Sequence, residues 1–329
     1  MIVSIVLNLS TPFAISAQNN AAIISDLDWN PNGKQIAIGI SATGTDSTCV
    51  NFQNIQILDV STSQLTSIPR PNNTCSITNV DYSPDGSQLL TTSDGYLEIW
   101  NMVTGERLQA IAMENIFQHA FWNPNGTGLL DVLAQGLQFR KATDLSKVSS
   151  GFIAPGRLEN KLFTYSAWSP DGSSVAVSAT DGKIYIWDVA NKTILRVFDA
   201  HSAPVRRLAW SSALNLIASG DDSGKIIIWN PTSGEIAAEL DGHTGAIRDI
   251  DWRVDGQQLA STAADNTVRT WTWPSGEANV VENNQSIWSV AYSPDGNQLA
   301  YGGDISDSRN VVAQIMVTSS IVATSTPTF

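Results

Sequence analysis

Positive charge is scarce in this chain. Its 18 Lys and Arg stand against 31 Asp and Glu over 329 residues, a net charge of -13. That balance repels a phosphate backbone and an anionic lipid surface, so nucleic acid is not an expected partner. Histidine numbers three and cysteine two. With no paired His spacing and so few thiols, no zinc or other metal centre and no cofactor is expected. Long apolar runs are missing too: nothing approaches the roughly 18 residues of a spanning helix, so no membrane insertion is expected. Nucleophile elbows, phosphate loops and helix-borne metal motifs are absent. Gly220 to Lys225 has the look of a phosphate loop, but its glycines lie too close together. Low charge (15%) beside 42% hydrophobic residues, 11 Trp and 23 Gly excludes a disordered chain and describes a turn-rich β protein.

What is present is repetition. An aromatic residue ahead of a tight polar turn occurs seven times, at Trp29, Tyr82, Trp122, Trp168, Trp210, Trp252 and Tyr292, with spacings of 53, 40, 46, 42, 42 and 40. Fuller copies read Asp81-Tyr82-Ser83-Pro84-Asp85-Gly86 and Ala167-Trp168-Ser169-Pro170-Asp171-Gly172. A period near 40 means one supersecondary unit that cannot bury its own apolar face and depends on its neighbours. Asp85, Asp171, Asp255 and Asp295 each precede Gly, where a carboxylate caps the turn, so they read as architecture and not as a catalytic pair.

Within a repeat, short alternating runs are broken by Gly, Asp, Asn and Pro, the pattern of antiparallel strands joined by hairpins. The repeat from Thr193 shows it best, ending in the β-branched run Lys225-Ile226-Ile227-Ile228-Trp229. Equivalent runs end at Trp100-Asn101, Trp187-Asp188 and Trp271-Thr272. These residues resemble the WD-repeat family, whose third strand ends in Trp-Asp, and the resemblance covers residues 11 to 318. It implies an all-β fold, a seven-bladed β-propeller of four-stranded antiparallel blades. Residues 18–320 are expected to form that propeller, with 321–329 as a C-terminal strand or tail.

The family also implies a hydrogen-bond network in each blade: a His before the first strand, a hydroxyl on the second, an Asp in the next turn and the Trp of the third. His243, Asp265 and Trp271 match in one repeat, with Ala263 where the hydroxyl is expected. His201 and Trp229 match in another, with Ser223 in the Asp place and Asp222 beside it. Asp94 with Trp100 and Asp181 with Trp187 lack the His. Such partial networks imply blades held more by apolar packing between sheets. His119, on a first strand, is expected to be a packed histidine.

Members of this family bind partners on the face where first strands begin. The contact positions carried over are Ser25, Thr78, Gln118, Thr164, Arg206, Arg248 and Trp288. The last three are the residue types that dominate interface hot spots. With Arg207 and Tyr165 as neighbours and Asp222 at the adjacent turn, they invite a carboxylate-bearing peptide or a glycan. The competing reading pairs both arginines with Asp turns of the neighbouring blade and packs Trp288 in the channel wall. The expected function is a non-enzymatic, monomeric scaffold for a protein or peptide. The alternatives are a propeller enzyme, which needs a cluster of channel carboxylates with perturbed acidity, a glycan-binding protein, or the sensor domain of a larger protein.

Three features bear on compartment. Met1 to Ala17 reads either as the later part of a signal peptide or as a β-strand. Thr11 to Gln18 and Ser320 to Thr324 compete for the one edge that closes the ring. Cys49 and Cys75 fall in loops that emerge on the same face of a propeller. They form either a disulfide worth about 3 kcal/mol or two separate loop thiols. A bridge and a leader both point to an extracytoplasmic or secreted setting, their absence to a cytoplasmic one.

Overall fold

A computed structural model describes residues 4–7, 22–42, 55–70, 76–93, 95–113, 119–134, 136–148, 152–153, 162–199, 201–283, 285–305 and 315–319. Every regular element among them is a strand. Five sheets have four antiparallel strands each, and their first strands are Ile77–Tyr82, His119–Trp122, Phe163–Trp168, Val205–Trp210 and Ile247–Trp252. A sixth sheet has eight strands.

That count corrects the seven-bladed expectation: the described residues form six blades. The sequence's first and last repeats merge because the strands Ala22–Trp29 and Gln298–Ile305 each run to eight residues, longer than the first and second strands of the four-stranded sheets. Their ends overrun and pair, Ala22 with Ile305 and Ile23 with Asp304. Gly302 permits the approach, since a Cβ there would lie 2.7 Å from Ile24 Cδ1. The seam is also tied by Trp29 Nε1 donating to the Ala291 carbonyl (3.0 Å) and Leu27 N to Ser289 Oγ (3.1 Å). The closing edge strand is Ser4–Leu7, paired with Ile315–Ser319. That strand lies within Met1 to Ala17; Thr11 to Gln18 and Ser320 to Thr324 lie outside the described residues, as do Cys49, Cys75, Asp94 and Gln118.

Within a blade the burial gradient follows strand order. Ile226–Trp229 is buried throughout, whereas the outermost strand of the same sheet, Ile236–Leu240, is mostly exposed. Apolar faces are covered by the next sheet: Ile184, Ile186 and Phe198 pack with Val205, Leu208, Ile217 and Trp229. The repeated turn is set by its carboxylate, as at Asp171, where Oδ1 accepts from Ser173 N (3.0 Å) and Ser169 Oγ (2.7 Å). The glycine after it takes a φ of +69°, a left-handed backbone that side chains resist.

Two blades carry complete polar networks, which corrects the reading of partial ones. In the first, His201 Nδ1 meets Asp221 (2.8 Å), Nε2 meets Ser219 Oγ (2.7 Å), and Trp229 Nε1 donates to that same oxygen (2.7 Å). In the second, His243 meets Asp265 (2.9 Å) and Ser261 (2.8 Å), and Trp271 donates to Ser261 (2.8 Å). The hydroxyl thus sits at Ser261, not Ala263, and the acid of the first network is Asp221, not Ser223 or Asp222. The reason is register: the hydroxyl must lie two places before the strand end to meet the indole across the sheet. Trp100 likewise donates to Thr91 Oγ1 (3.0 Å). In the blade of Trp187 the equivalent place holds Val177, and Asp181 there accepts from Lys183 N (3.1 Å) and Tyr185 Oη (3.2 Å).

Ser219→Ala leaves Trp229 Nε1 and His201 Nε2 without their partner in a buried site, so a loss of about 2–4 kcal/mol in chemical denaturation is expected. A loss below about 0.5 kcal/mol would show that the network adds little to packing.

Candidate functional site

The first strands surround a channel, and the two ends of that channel differ. At the end where these strands begin, the pairing register slips on six first strands, between Ile24 and Asp26 and between Ile287 and Ser289 in the eight-stranded sheet, and between Ile77 and Asn79, Phe163 and Tyr165, Val205 and Arg207, and Ile247 and Asp249 in four of the others. The residue skipped at each bulge is Ser25, Thr78, Thr164, Arg206, Arg248 or Trp288, the carried-over contact position every time. A bulge re-aims the side chain that it leaves unpaired.

What each displaced side chain does depends on its length. Short hydroxyls reach the next sheet: Ser25 Oγ donates to the Ile77 carbonyl and Thr164 Oγ1 to the Val205 carbonyl, both at 2.5 Å. The long ones project. Arg206 keeps 45% of its side chain exposed and forms a forked pair with Asp222 of its own sheet, at 3.0 and 2.9 Å. That pairing raises the affinity of the guanidinium for its proton. The Arg248 guanidinium lies 3.6 Å over the Trp288 ring, whose Nε1 donates to Asp304 (2.9 Å). Burial lowers the proton affinity of Arg248, partly offset by Asp304. The structure therefore brings Arg206 to Asp222 and Arg248 to Trp288.

Tyr165 and Arg207 turn away from that face into the channel. The Arg207 guanidinium sits 4.8 Å from the Tyr165 ring and 3.5 Å from Asp249. Phe121 and His119 pack against Tyr165 at 5.0 and 5.1 Å. Burial, with Arg207 nearby, drives the His119 pKa down to about 3, so it packs as a neutral ring.

Toward the other end lies a feature that the sequence reading missed. A cavity of about 470 Å³ is walled by Asp26, Asp28, Asp81, Asp249 and Asp251. Each carboxylate accepts a backbone N–H across a seam between sheets: Asp28 from Tyr82, Asp81 from Trp122 and Asp251 from Tyr292 at 2.6 Å, Asp26 from Val80 at 2.8 Å and Asp249 from Val290 at 2.9 Å. Burial raises the pKa of all five, reaching about 7 at Asp81 and Asp251. The signal was in the sequence, because three of the seven motif copies put Asp directly before the aromatic. The cluster named as a requirement for a propeller enzyme thus exists, but every member is engaged in joining sheets.

Repeated antiparallel sheets around a channel, with a displaced residue at the start of six first strands, define a β-propeller of the repeat type. The family model described as "WD domain, G-beta repeat" matches residues 63–101, 163–188, 192–230, 234–272 and 278–311, more than half of the chain, and the protein belongs to this WD40 family. The WD repeat-containing protein slp1 of Schizosaccharomyces pombe is 34% identical over 178 residues, covering 52% of this chain and 34% of that protein. The chain thus spans about a third of that relative's length. A chain in the crystal structure of the Mitotic Checkpoint Complex has a similar fold, with a TM-score of 0.71 and 18% identity over 90% of this chain and 87% of that one. So does the Cps50 (Swd1) beta-propeller domain of Myceliophteria thermophila, with a TM-score of 0.74 and 14% identity over 90% of this chain and 96% of that one. At these identities the likeness is one of fold.

Proposed function

We propose that the protein is a non-enzymatic scaffold that binds an acidic segment of a protein partner on the face where the first strands begin. The observation that carries this reading is the run of bulges that displaces Arg206, Arg248 and Trp288 on three successive first strands. Arginine and tryptophan supply most of the energy at interfaces of this kind. A rigid sheet framework holds them in place before binding, so little ordering entropy is lost. Arg206 already holds a carboxylate in the forked geometry that a Glu or Asp of a partner would use. Membership of a fold that also occurs in the Mitotic Checkpoint Complex, a multi-protein assembly, supports a protein partner.

The test uses a synthetic Glu/Asp-rich peptide and its Gln/Asn counterpart at low salt. The acidic peptide is expected to bind more tightly, and Arg206→Ala with Arg248→Ala is expected to weaken it by more than about ten-fold. Equal binding of the two peptides, or unchanged affinity in the double variant, removes this face from consideration.

A further inference from the structure

The acidic cavity faces away from Arg206, Arg248 and Trp288 and uses none of them. Its rim is made by residues of the turns that follow the first strands, Pro31, Ser212, Val254 and Pro294, so it opens at the opposite end of the channel. Two further features mark it as a place for a ligand. Asn79 lines it, is 2% exposed, and its Oδ1 has no hydrogen-bond partner. A buried carbonyl oxygen without a donor carries a desolvation cost that a bound N–H would relieve. The rings of Phe121, Tyr165 and Trp210 line the same space, and aromatic faces attract cations.

The chemistry of the wall selects the ligand. Five carboxyls line the cavity and one guanidinium, that of Arg207, contacts one of them, Asp249, so the cavity favours positive charge. Among the described residues no three carboxylate, thiol or imidazole groups converge closely enough to hold a metal ion. Acceptors spread along a wall, with rings between them, suit several N–H donors spaced along an aliphatic chain. We infer that this cavity binds a linear oligoamine, with its ammonium groups on Asp28, Asp81 and Asp251, one N–H on Asn79 Oδ1, and its methylenes against Phe121 and Tyr165. Burial pushes the Asp81 and Asp251 carboxyls up to about 7, so amine binding at neutral pH releases protons from them.

Spermidine titrated calorimetrically into the full chain at neutral pH and low salt tests this. Binding is expected, with an observed heat that changes with the ionisation enthalpy of the buffer as protons leave. Asp28→Asn with Asp251→Asn keeps an acceptor for each backbone N–H and is expected to weaken binding by about ten-fold or more. Asp85→Asn, which removes one charge from an exposed turn outside the cavity, is expected to leave it unchanged. Phe121→Leu, which keeps every carboxylate, is expected to weaken binding by about three-fold or more through loss of the ring. No binding at millimolar spermidine overturns the inference, and so does equal affinity in wild type and the Asp28/Asp251 variant. Tighter binding of magnesium, or of a lysine-bearing peptide, to the same residues overturns the assignment to a free amine.

Discussion

Glu98→Ala is expected to cost about 3–5 kcal/mol of stability. The Glu98 side chain is fully buried in the strand Tyr96–Asn101. Arg70 Nε donates to its Oε2 (2.8 Å) and Arg107 Nη1 to its Oε1 (2.8 Å). Arg70 comes from the loop after the outermost strand of the eight-stranded sheet, so the cluster fastens that sheet to its neighbour. Neither guanidinium can shed its charge. Removing the carboxylate therefore leaves buried positive charge without compensation, and this exceeds what a surface pair contributes. Glu98→Gln, which keeps one acceptor oxygen, is expected to lose less. Urea denaturation of the three proteins checks the order, and an Ala variant within about 1 kcal/mol of wild type would refute the claim that this cluster holds the seam.

The second large effect concerns pH. Asp81 and Asp251 are pushed up to about 7, mainly by burial, with their backbone N–H partners opposing and Asp26 or Asp249 adding to the rise. A carboxyl whose pKa is raised on folding binds its proton more tightly in the folded state. Its contribution is greatest below the unfolded value near 3.8 and is lost as pH rises toward 7. His119 and His243, both lowered chiefly by burial, act in the opposite sense, losing stability as pH falls below their usual 6.5. Comparing a variant with wild type cancels the histidines. Asp251→Asn keeps an oxygen for the Tyr292 N–H and removes the ionisation, so relative to wild type it is expected to gain on the order of 2–4 kcal/mol between about pH 4.5 and pH 7.5. Parallel pH profiles for the two proteins would mean that Asp251 ionises normally.

Much of the fold is legible in the residues because a turn motif and a strand pattern are local signals. The Asp-Gly turns, the buried third strands and the exposed fourth strands follow from short-range sequence. One network hydroxyl was misplaced by two residues, at Ala263 instead of Ser261, since the oxygen that meets the Trp271 indole lies diagonally across the sheet, opposite Arg269, and register is not written in one strand alone. Six of the positions carried over from the family coincide with bulge residues, and the seventh, Gln118, lies outside the described residues. What each side chain does there was not legible: Thr164 donates to the Val205 carbonyl, Arg206 pairs with Asp222 of its own sheet, and Arg248 lies over the Trp288 ring.

The sequence by itself determined that this chain is an all-β propeller of about forty-residue units, acidic, with arginine and tryptophan at successive first-strand starts. Tertiary structure alone decided that the first and last units fuse into one eight-stranded sheet, that its edge strand is Ser4–Leu7, and that five aspartates from three repeats share one cavity. The reason is physical: periodicity encodes each sheet, whereas pairing across the ring and convergence on its axis depend on strand ends and side chains far apart in the chain.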